Sequence, residues 1–277
     1  MYASSHTAPV PACQAATSEA GSSTSSPANV LRDAIRNDEL RVHYQPRYSL
    51  DSGKVNIVEA LVRWNKAGAG LLHPEAFIDT AIEHGLVFEM DLWVFNQCCK
   101  DLIWLRKHYD GALKIAVNIT ASECESVFHT NRLLRVCHRH GLQLSDFEFE
   151  ITETVNMQQC RKIAAFCNTF TQLGANICLD DFGTGYSPLP NLCKLNIDTI
   201  KIDRSFVKNM ETSNRFRILV KHLIAIAREM KLKIVAEGIE TALQYKRLHE
   251  MGCHQLQGYH ISHPLPVQML LPFLATM

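Results

Sequence analysis

Asn176-Ile177-Cys178-Leu179-Asp180-Asp181 is a short apolar run that ends in two adjacent carboxylates, and it follows an amphipathic stretch, 160–173, long enough for a helix. Glu59, Asn118, Glu150 and Glu237 close other short apolar runs in the same way. Oxygen-bearing side chains collected where strands run out are what a divalent-metal site on a parallel β/α scaffold needs. Scattered solvating charge would look different.

Working outward from that run, the periodicity predicts strands at 41–45, 55–62, 113–118, 147–152, 176–180, 199–202, 233–237 and 254–257. Helical patterns cover 28–35, a stretch after Pro74, 89–107, 160–173 and 215–230. Roughly eight strands alternating with crossover helices is the count that closes a (β/α)₈ barrel. The connection Asp51-Ser52-Gly53 is too short for a crossover, so the first two strands are antiparallel neighbours. The expected fold class is therefore α/β, an irregular TIM-like (β/α)₈ barrel with an antiparallel first strand pair. No repeat beyond this rhythm is visible.

Residues 1–28, which include Ala20-Gly21-Ser22-Ser23-Thr24-Ser25-Ser26-Pro27, have too few large apolar groups to offset their ordering entropy and read as a flexible tail. The remainder, 29–277, reads as one domain. In the 277-residue chain, Lys plus Arg and Asp plus Glu each total 28, so no long-range field favours a DNA or RNA polymer or an anionic membrane. Phosphate recognition must be local.

The ten cysteines show no C-x-x-C spacing and are read as buried reduced thiols. Cys137-His138-Arg139-His140 offers metal-ligating side chains, yet basic residues before Gly141 suit the C-terminal end of a helix dipole better. With no transmembrane run and no basic-then-apolar start, the expected location is cytoplasmic. The Asn118-Ile119-Thr120 sequon then has no access to the glycosylating enzyme.

If the strand-end groups converge, two carboxylates about 4 Å apart repel by roughly 4 kcal/mol at an effective dielectric of about 20. Either several are protonated or cations sit among them. A reading in which each makes its own surface ion pair or helix cap stays open at this point. Adjacent carboxylates such as Asp180 and Asp181 can bridge or flank two ions about 3.5 to 4 Å apart. An all-oxygen donor set favours magnesium or manganese over zinc. Two such ions would activate water and stabilise phosphate-ester oxyanions, so phosphodiester hydrolysis is the leading chemistry. Lys201, with apolar neighbours in a strand, is costly to bury unless it faces carboxylates or developing phosphate charge; a purely strand-tying ion pair is the alternative. Gly183-Thr184-Gly185 is a weak loop signal, and Asp181-Phe182-Gly183 is no kinase motif without an H-R-D loop.

Glu59-Ala60-Leu61 with Arg63-Trp64 resembles the signature of the EAL-domain cyclic-di-GMP phosphodiesterases. The likeness continues through Tyr44-Gln45-Pro46, Val117-Asn118, Glu150-Ile151-Thr152-Glu153, Asp180 to Ser187, Lys201 to Phe206, Val235 to Thr241 and Gln257-Gly258-Tyr259, in family order. It spans roughly residues 30 to 275, which makes 29–277 the EAL domain. The resemblance implies two Mg²⁺ or Mn²⁺ ions, one on Glu59, Asn118, Glu150 and Asp180 and one on Asp180, Asp181 and Glu237. It implies that Lys201 orients the attacking water, with Glu59, Lys201, Glu237 and Glu240 as the catalytic group. Gln45, Leu61, Arg63, Asp203, Gln257 and Tyr259 would contact cyclic di-GMP, Arg63 at phosphate, and Glu153 would anchor the loop after Asp181. The implied product is linear pGpG, and a homodimer is a possible assembly.

Two stretches depart from the family pattern. Thr120-Ala121-Ser122-Glu123-Cys124 stands where the family commonly has Ser-Ala-Arg-Gln-Phe, losing a cation. Pro188 and Pro190 replace smaller residues at a loop-to-helix junction tied to dimer contacts. Members of the family that act as nucleotide receptors or protein-binding modules typically lose metal ligands, whereas every implied ligand is present here.

Overall fold

Phe147-Glu148-Phe149-Glu150 displays the building rule of the sheet, because successive strand residues point to opposite faces. In the computed structural model, which describes residues 26–152, 159–183 and 192–277, the two phenylalanines face the helices. Phe147 meets Phe95 at 4.8 Å between ring centroids, Phe149 meets Phe170 at 4.8 Å, and Phe170 stacks on Phe166 at 4.0 Å. Burying each such ring is worth about 1.5–3 kcal/mol. That anchoring forces the two glutamates of the same strand to the other side.

The expected strands are all present, as β1 (Leu40–Ser49), β2 (Lys54–Lys66), β4 (Lys114–Ile119), β5 (Phe147–Thr152), β6 (Asn176–Phe182), β7 (Thr199–Ile202), β8 (Lys233–Ala236) and β9 (Gln255–Gln257). Short strands β3 (Gly70–Leu72) and β10 (Leu265–Pro266) add to the margin. Each neighbour from β2 through β4, β5, β6, β7, β8 to β9 is parallel. The strand β1 runs antiparallel to both β2 and β9 and closes the barrel between them. The antiparallel opening pair thus holds, and β1 is four residues longer at its end than the predicted 41–45. Its pairing with β2 slips between Arg47 and Tyr48.

Outward residues such as Val58, Ala60, Ile177, Leu179, Ile200, Ile202, Ile234 and Leu256 join the main core beneath the helices. The barrel interior is instead polar, with Arg47, Glu59, Glu148, Glu150, Asp180, Thr199, Lys201 and Gln257 all buried. The helices Pro27–Arg36, Val87–His108, Gln159–Gln172 and Asn214–Glu229 occur within two residues of their predicted bounds. Pro27–Arg36 is capped by Ser26 and packs Leu31, Ala34 and Ile35 into a second cluster with Trp64 and Phe77.

Cys137, His138 and Arg139 close the helix Val127–Arg139, with Gly141 at φ 67°, so they end a helix as the dipole argument requires. Among the described residues nine cysteines are free thiols, and all but Cys193 are buried. No helix among those residues is long and apolar enough to cross a membrane. Most of the expected tail lies outside the described residues, as do Glu153, Thr184-Gly185, Pro188 and Pro190.

Candidate active site

Period-two alternation turns Gln45, Glu59, Asn118, Glu150, Asp180, Lys201 and Gln257 toward one mouth of the barrel, all but the exposed Asn118 being buried. Asp180 and Asp181 are adjacent, and in a regular strand they would point to opposite faces. The register between β6 and β7 breaks between Leu179 and Phe182, and Asp181 adopts φ 52°, its amide donating to Asp180 Oδ1 at 2.8 Å. This irregularity turns both carboxylates to the mouth. Holding a non-glycine residue there costs of order 1–3 kcal/mol, a pattern typical of functional sites. Gly183, at φ 102°, follows at once, where a Cβ would lie 2.7 Å from Phe206 Cζ.

Lys201 is the centre of the arrangement. Its Nζ lies 2.6 Å from Glu237 Oε1, 2.8 Å from Glu150 Oε2, 3.2 Å from Asp180 Oδ1 and 3.3 Å from Glu59 Oε2. With 1% of its side chain exposed, the ammonium is stable there only because carboxylates surround it. Burial alone would lower its pKa, but Asp180, Glu150, Glu237 and Glu59 together raise it well above the usual lysine value. The strand-tying and site-facing readings of this lysine therefore describe the same contacts.

The carboxylates divide by environment. Burial disfavours the Glu59 anion, yet Lys201, with the Gln257 amide, Arg47 and Asn118, outweighs it and holds the group at about 2. Gln257 Nε2 donates to Glu59 Oε2 at 2.5 Å and Asn118 Nδ2 to Glu59 Oε1 at 3.2 Å. Burial pushes Glu237 up to about 7, with Lys201 offsetting only part of it. Burial and then the Glu59 charge raise Glu150, while burial followed by Asp180 and Asp203 raises Asp181. More negative charge is gathered here than one lysine and one arginine neutralise. Ligand oxygens of Asp180, Asp181 and Glu237 lie within 4.8 Å of one another. An all-oxygen set with surplus acidity fits hard divalent cations.

Above these groups opens a cleft of about 700 Å³. Of the predicted residues, Gln45, Glu59, Leu61, Asn118, Asp180, Asp181, Lys201, Asp203, Glu237, Glu240, Gln257 and Tyr259 line it. Glu150 sits beneath, fully buried, bonded to Lys201 and Arg47. The Arg63 guanidinium lies outside the lining and donates to the Val62 carbonyl at 2.8 Å, with Glu75 and Tyr259 near enough to influence its charge. Asp203 caps the helix Arg204–Asn209 by accepting from Ser205 N at 3.0 Å, so its carboxylate is partly engaged. Tyr259 is 55% exposed and stacks on His263 at 4.0 Å between centroids, presenting an aromatic face at the rim.

The loop carrying Glu237 and Glu240 is tied down locally. Gln244 Oε1 accepts from Glu240 N at 2.7 Å within the capping box of the helix Ala242–Glu250. Gly258 lets β9 end against that loop: a Cβ there would stand 2.2 Å from Ile239 N.

Sequence reading missed Arg47 and Glu148. Arg47 is wholly buried, donates to Glu148 Oε1 at 2.5 Å, and makes a still shorter pair with Glu150 Oε1. The available signal was parity, since Arg47 shares its strand face with Gln45.

A closed α/β barrel carrying an acidic, lysine-centred mouth defines the class, and the family model of the EAL domain matches residues 28–264. The chain belongs to the EAL domain family. It is 38% identical over 244 residues to the cyclic di-GMP phosphodiesterase NbdA of Pseudomonas aeruginosa, an alignment covering 88% of this chain and 31% of that protein. It is 34% identical over 237 residues to the cyclic di-GMP phosphodiesterase PdeR of Escherichia coli, covering 85% and 35%. The solved c-di-GMP complex of the PaMucR phosphodiesterase superposes with a TM-score of 0.83 at 33% identity, covering 88% of this chain and 99% of that one. The chain thus spans about a third of the length of these relatives in sequence.

Proposed function

We propose that the chain hydrolyses cyclic di-GMP to linear pGpG with two divalent ions, Mg²⁺ or Mn²⁺. The observation that carries this is the crowding of Glu59, Glu150, Asp180 and Glu237 around one buried ammonium beneath an open cleft. Glu59, Asn118, Glu150 and Asp180 would hold one ion, and Asp180, Asp181 and Glu237 the other. When bound, such ions lower the pKa of water and stabilise phosphate oxyanions.

The residues themselves set up the rest. Lys201, held by its four partners, would present positive charge to the phosphate and the attacking water, and so would favour charge that grows in the transition state. The water oxygen bonds to phosphorus, the bond from phosphorus to the 3′ oxygen breaks, and a 5′-phosphate and a 3′-hydroxyl result. A carboxylate near Lys201 would take the water proton, and the leaving 3′ oxygen would receive it as the hydroxyl forms. Gln45, Leu61 and Tyr259 would hold the nucleotide along the cleft, with Arg63 swinging toward phosphate.

Purified protein with Mn²⁺ should convert cyclic di-GMP to pGpG, and Glu59→Ala should remove turnover while circular dichroism stays unchanged. Tight nucleotide binding without turnover in the wild-type chain would instead make it a receptor.

A further inference from the structure

Arg47 lies beneath the groups assigned to the ions, yet it touches one of them, Glu150, and also Gln257, which donates to another, Glu59. Its guanidinium donates through Nη1 to Glu148 Oε1 at 2.5 Å, through Nη2 to Glu150 Oε1, and through Nε to Gln257 Oε1 at 3.4 Å. Arginine is donor-only, so the oxygen of the Gln257 amide must face it. That orientation leaves Gln257 Nε2 to donate to Glu59 Oε2 at 2.5 Å and to Gln45 Oε1 at 3.2 Å. Gln45 in turn gives its own Nε2 to the Ser262 carbonyl at 3.2 Å. Arg47 on one side and the Glu59 carboxylate on the other thereby hold the Gln257 amide, and through it Gln45, in one direction.

The same logic applies to Glu150. With Oε1 committed to Arg47, the carboxylate plane is fixed and Oε2 is turned to Lys201 at 2.8 Å. Glu148 completes the support, its second oxygen accepting from Thr199 Oγ1 at 3.2 Å, so the arginine is clamped from below. The planar fork sends separate N–H groups in fixed directions to both carboxylates and to the amide; a lysine ammonium at this position would supply charge from a single point without those fixed directions.

We propose that Arg47 is a positioning residue for the hydrolytic site, aiming the Glu150 carboxylate and the Gln257 amide at the ion-holding layer. The inference rests on the reading of the chain as a metal-dependent phosphodiesterase. A merely structural arginine would neutralise buried charge and nothing more.

The test is Arg47→Met combined with Glu148→Gln in the full chain, which removes one buried cation with one buried anion and so limits the folding penalty. Arg47→Lys is the companion, keeping charge but not the fork. Mn²⁺ alone is titrated into each metal-free protein by calorimetry, and kcat and KM for cyclic di-GMP are then measured. We expect the double variant to bind Mn²⁺ roughly 10–100-fold more weakly, with kcat reduced by a similar factor. KM should rise by a smaller factor than the Mn²⁺ Kd, because Gln45 and Gln257 lose their orientation while Leu61 and Tyr259 keep theirs. Arg47→Lys should recover the melting temperature without recovering Mn²⁺ affinity. Wild-type Mn²⁺ affinity in the folded double variant overturns the inference alone; if that variant does not fold, wild-type affinity in Arg47→Lys does so. A wild-type chain that takes up no Mn²⁺ overturns the phosphodiesterase reading itself and the inference with it.

Discussion

Replacing Lys201 by methionine keeps the length of the stem and deletes the charge at the hub of the site. The four carboxylate contacts at 2.6, 2.8, 3.2 and 3.3 Å would then lose their shared cation. At an effective dielectric of about 20, each contact near 3 Å represents roughly 5–6 kcal/mol of gross attraction. The net cost is far smaller, because a stranded carboxylate takes up a proton, at about 1.4 kcal/mol for each pH unit above its ordinary pKa. Breaking a buried pair by removing one partner typically costs about 3–5 kcal/mol, the figure we adopt for the metal-free protein. For a domain of this size each kcal/mol moves Tm by roughly 2–4 °C, giving a fall on the order of 6–20 °C. Since the carboxylates remain, Mn²⁺ uptake should persist, and about 100 times its Kd should return roughly 2.7 kcal/mol. Turnover should still fall by about 10²–10³, the usual cost of losing one preorganised donor to developing charge. The assay is a thermal melt with and without Mn²⁺ beside a pGpG-formation rate. A Tm within about 2 °C of wild type together with unchanged turnover would show that Lys201 is not the charge hub of the site.

Glu237 supplies a pH test, since burial holds its carboxyl at about 7 in the fold against about 4.5 ordinarily. The folded state binds the extra proton between those values, so this group makes the metal-free protein lose stability as pH rises from about 4.5 to 7, and by no more beyond that. Glu237→Gln should flatten the Tm profile across that window; an unchanged slope contradicts the assignment. By the same linkage, Mn²⁺ binding to wild type should release protons below pH 7 and strengthen toward that pH, which calorimetry in buffers of different ionisation enthalpy will read. Gly258→Ala would drive a Cβ to 2.2 Å from Ile239 N, backbone against backbone, and should cost about 3 kcal/mol or more by denaturant melt. A loss under about 1 kcal/mol would show that β9 and the Glu237 loop adapt freely.

The rhythm of short apolar runs and amphipathic helices, with carboxylates carried on β2, β5 and β6, made the barrel and most of its mouth legible, because period-two burial sorts side chains without knowledge of tertiary contacts. Arg47 escaped for an identifiable reason. Pro46 reads as the end of a strand, since proline weakens a ladder, yet β1 continues to Ser49 through it. The slip in pairing with β2 after Arg47 is set by packing that no local pattern announces. The strands β3 and β10, at three and two residues, are too short for any periodicity. The turn of Asp181 into the mouth was equally hidden: sequence offers two adjacent carboxylates, but only the broken register with β7 shows that they share a side. Asp203 shows the converse, a carboxylate at the cleft whose oxygens also serve an ordinary helix cap.

Isothermal titration of Mn²⁺ into the metal-free full chain, with and without cyclic di-GMP, bears most directly on why so many carboxylates can share the barrel mouth. Saturable uptake reaching two ions per chain is expected when nucleotide is present. No uptake under either condition would contradict it.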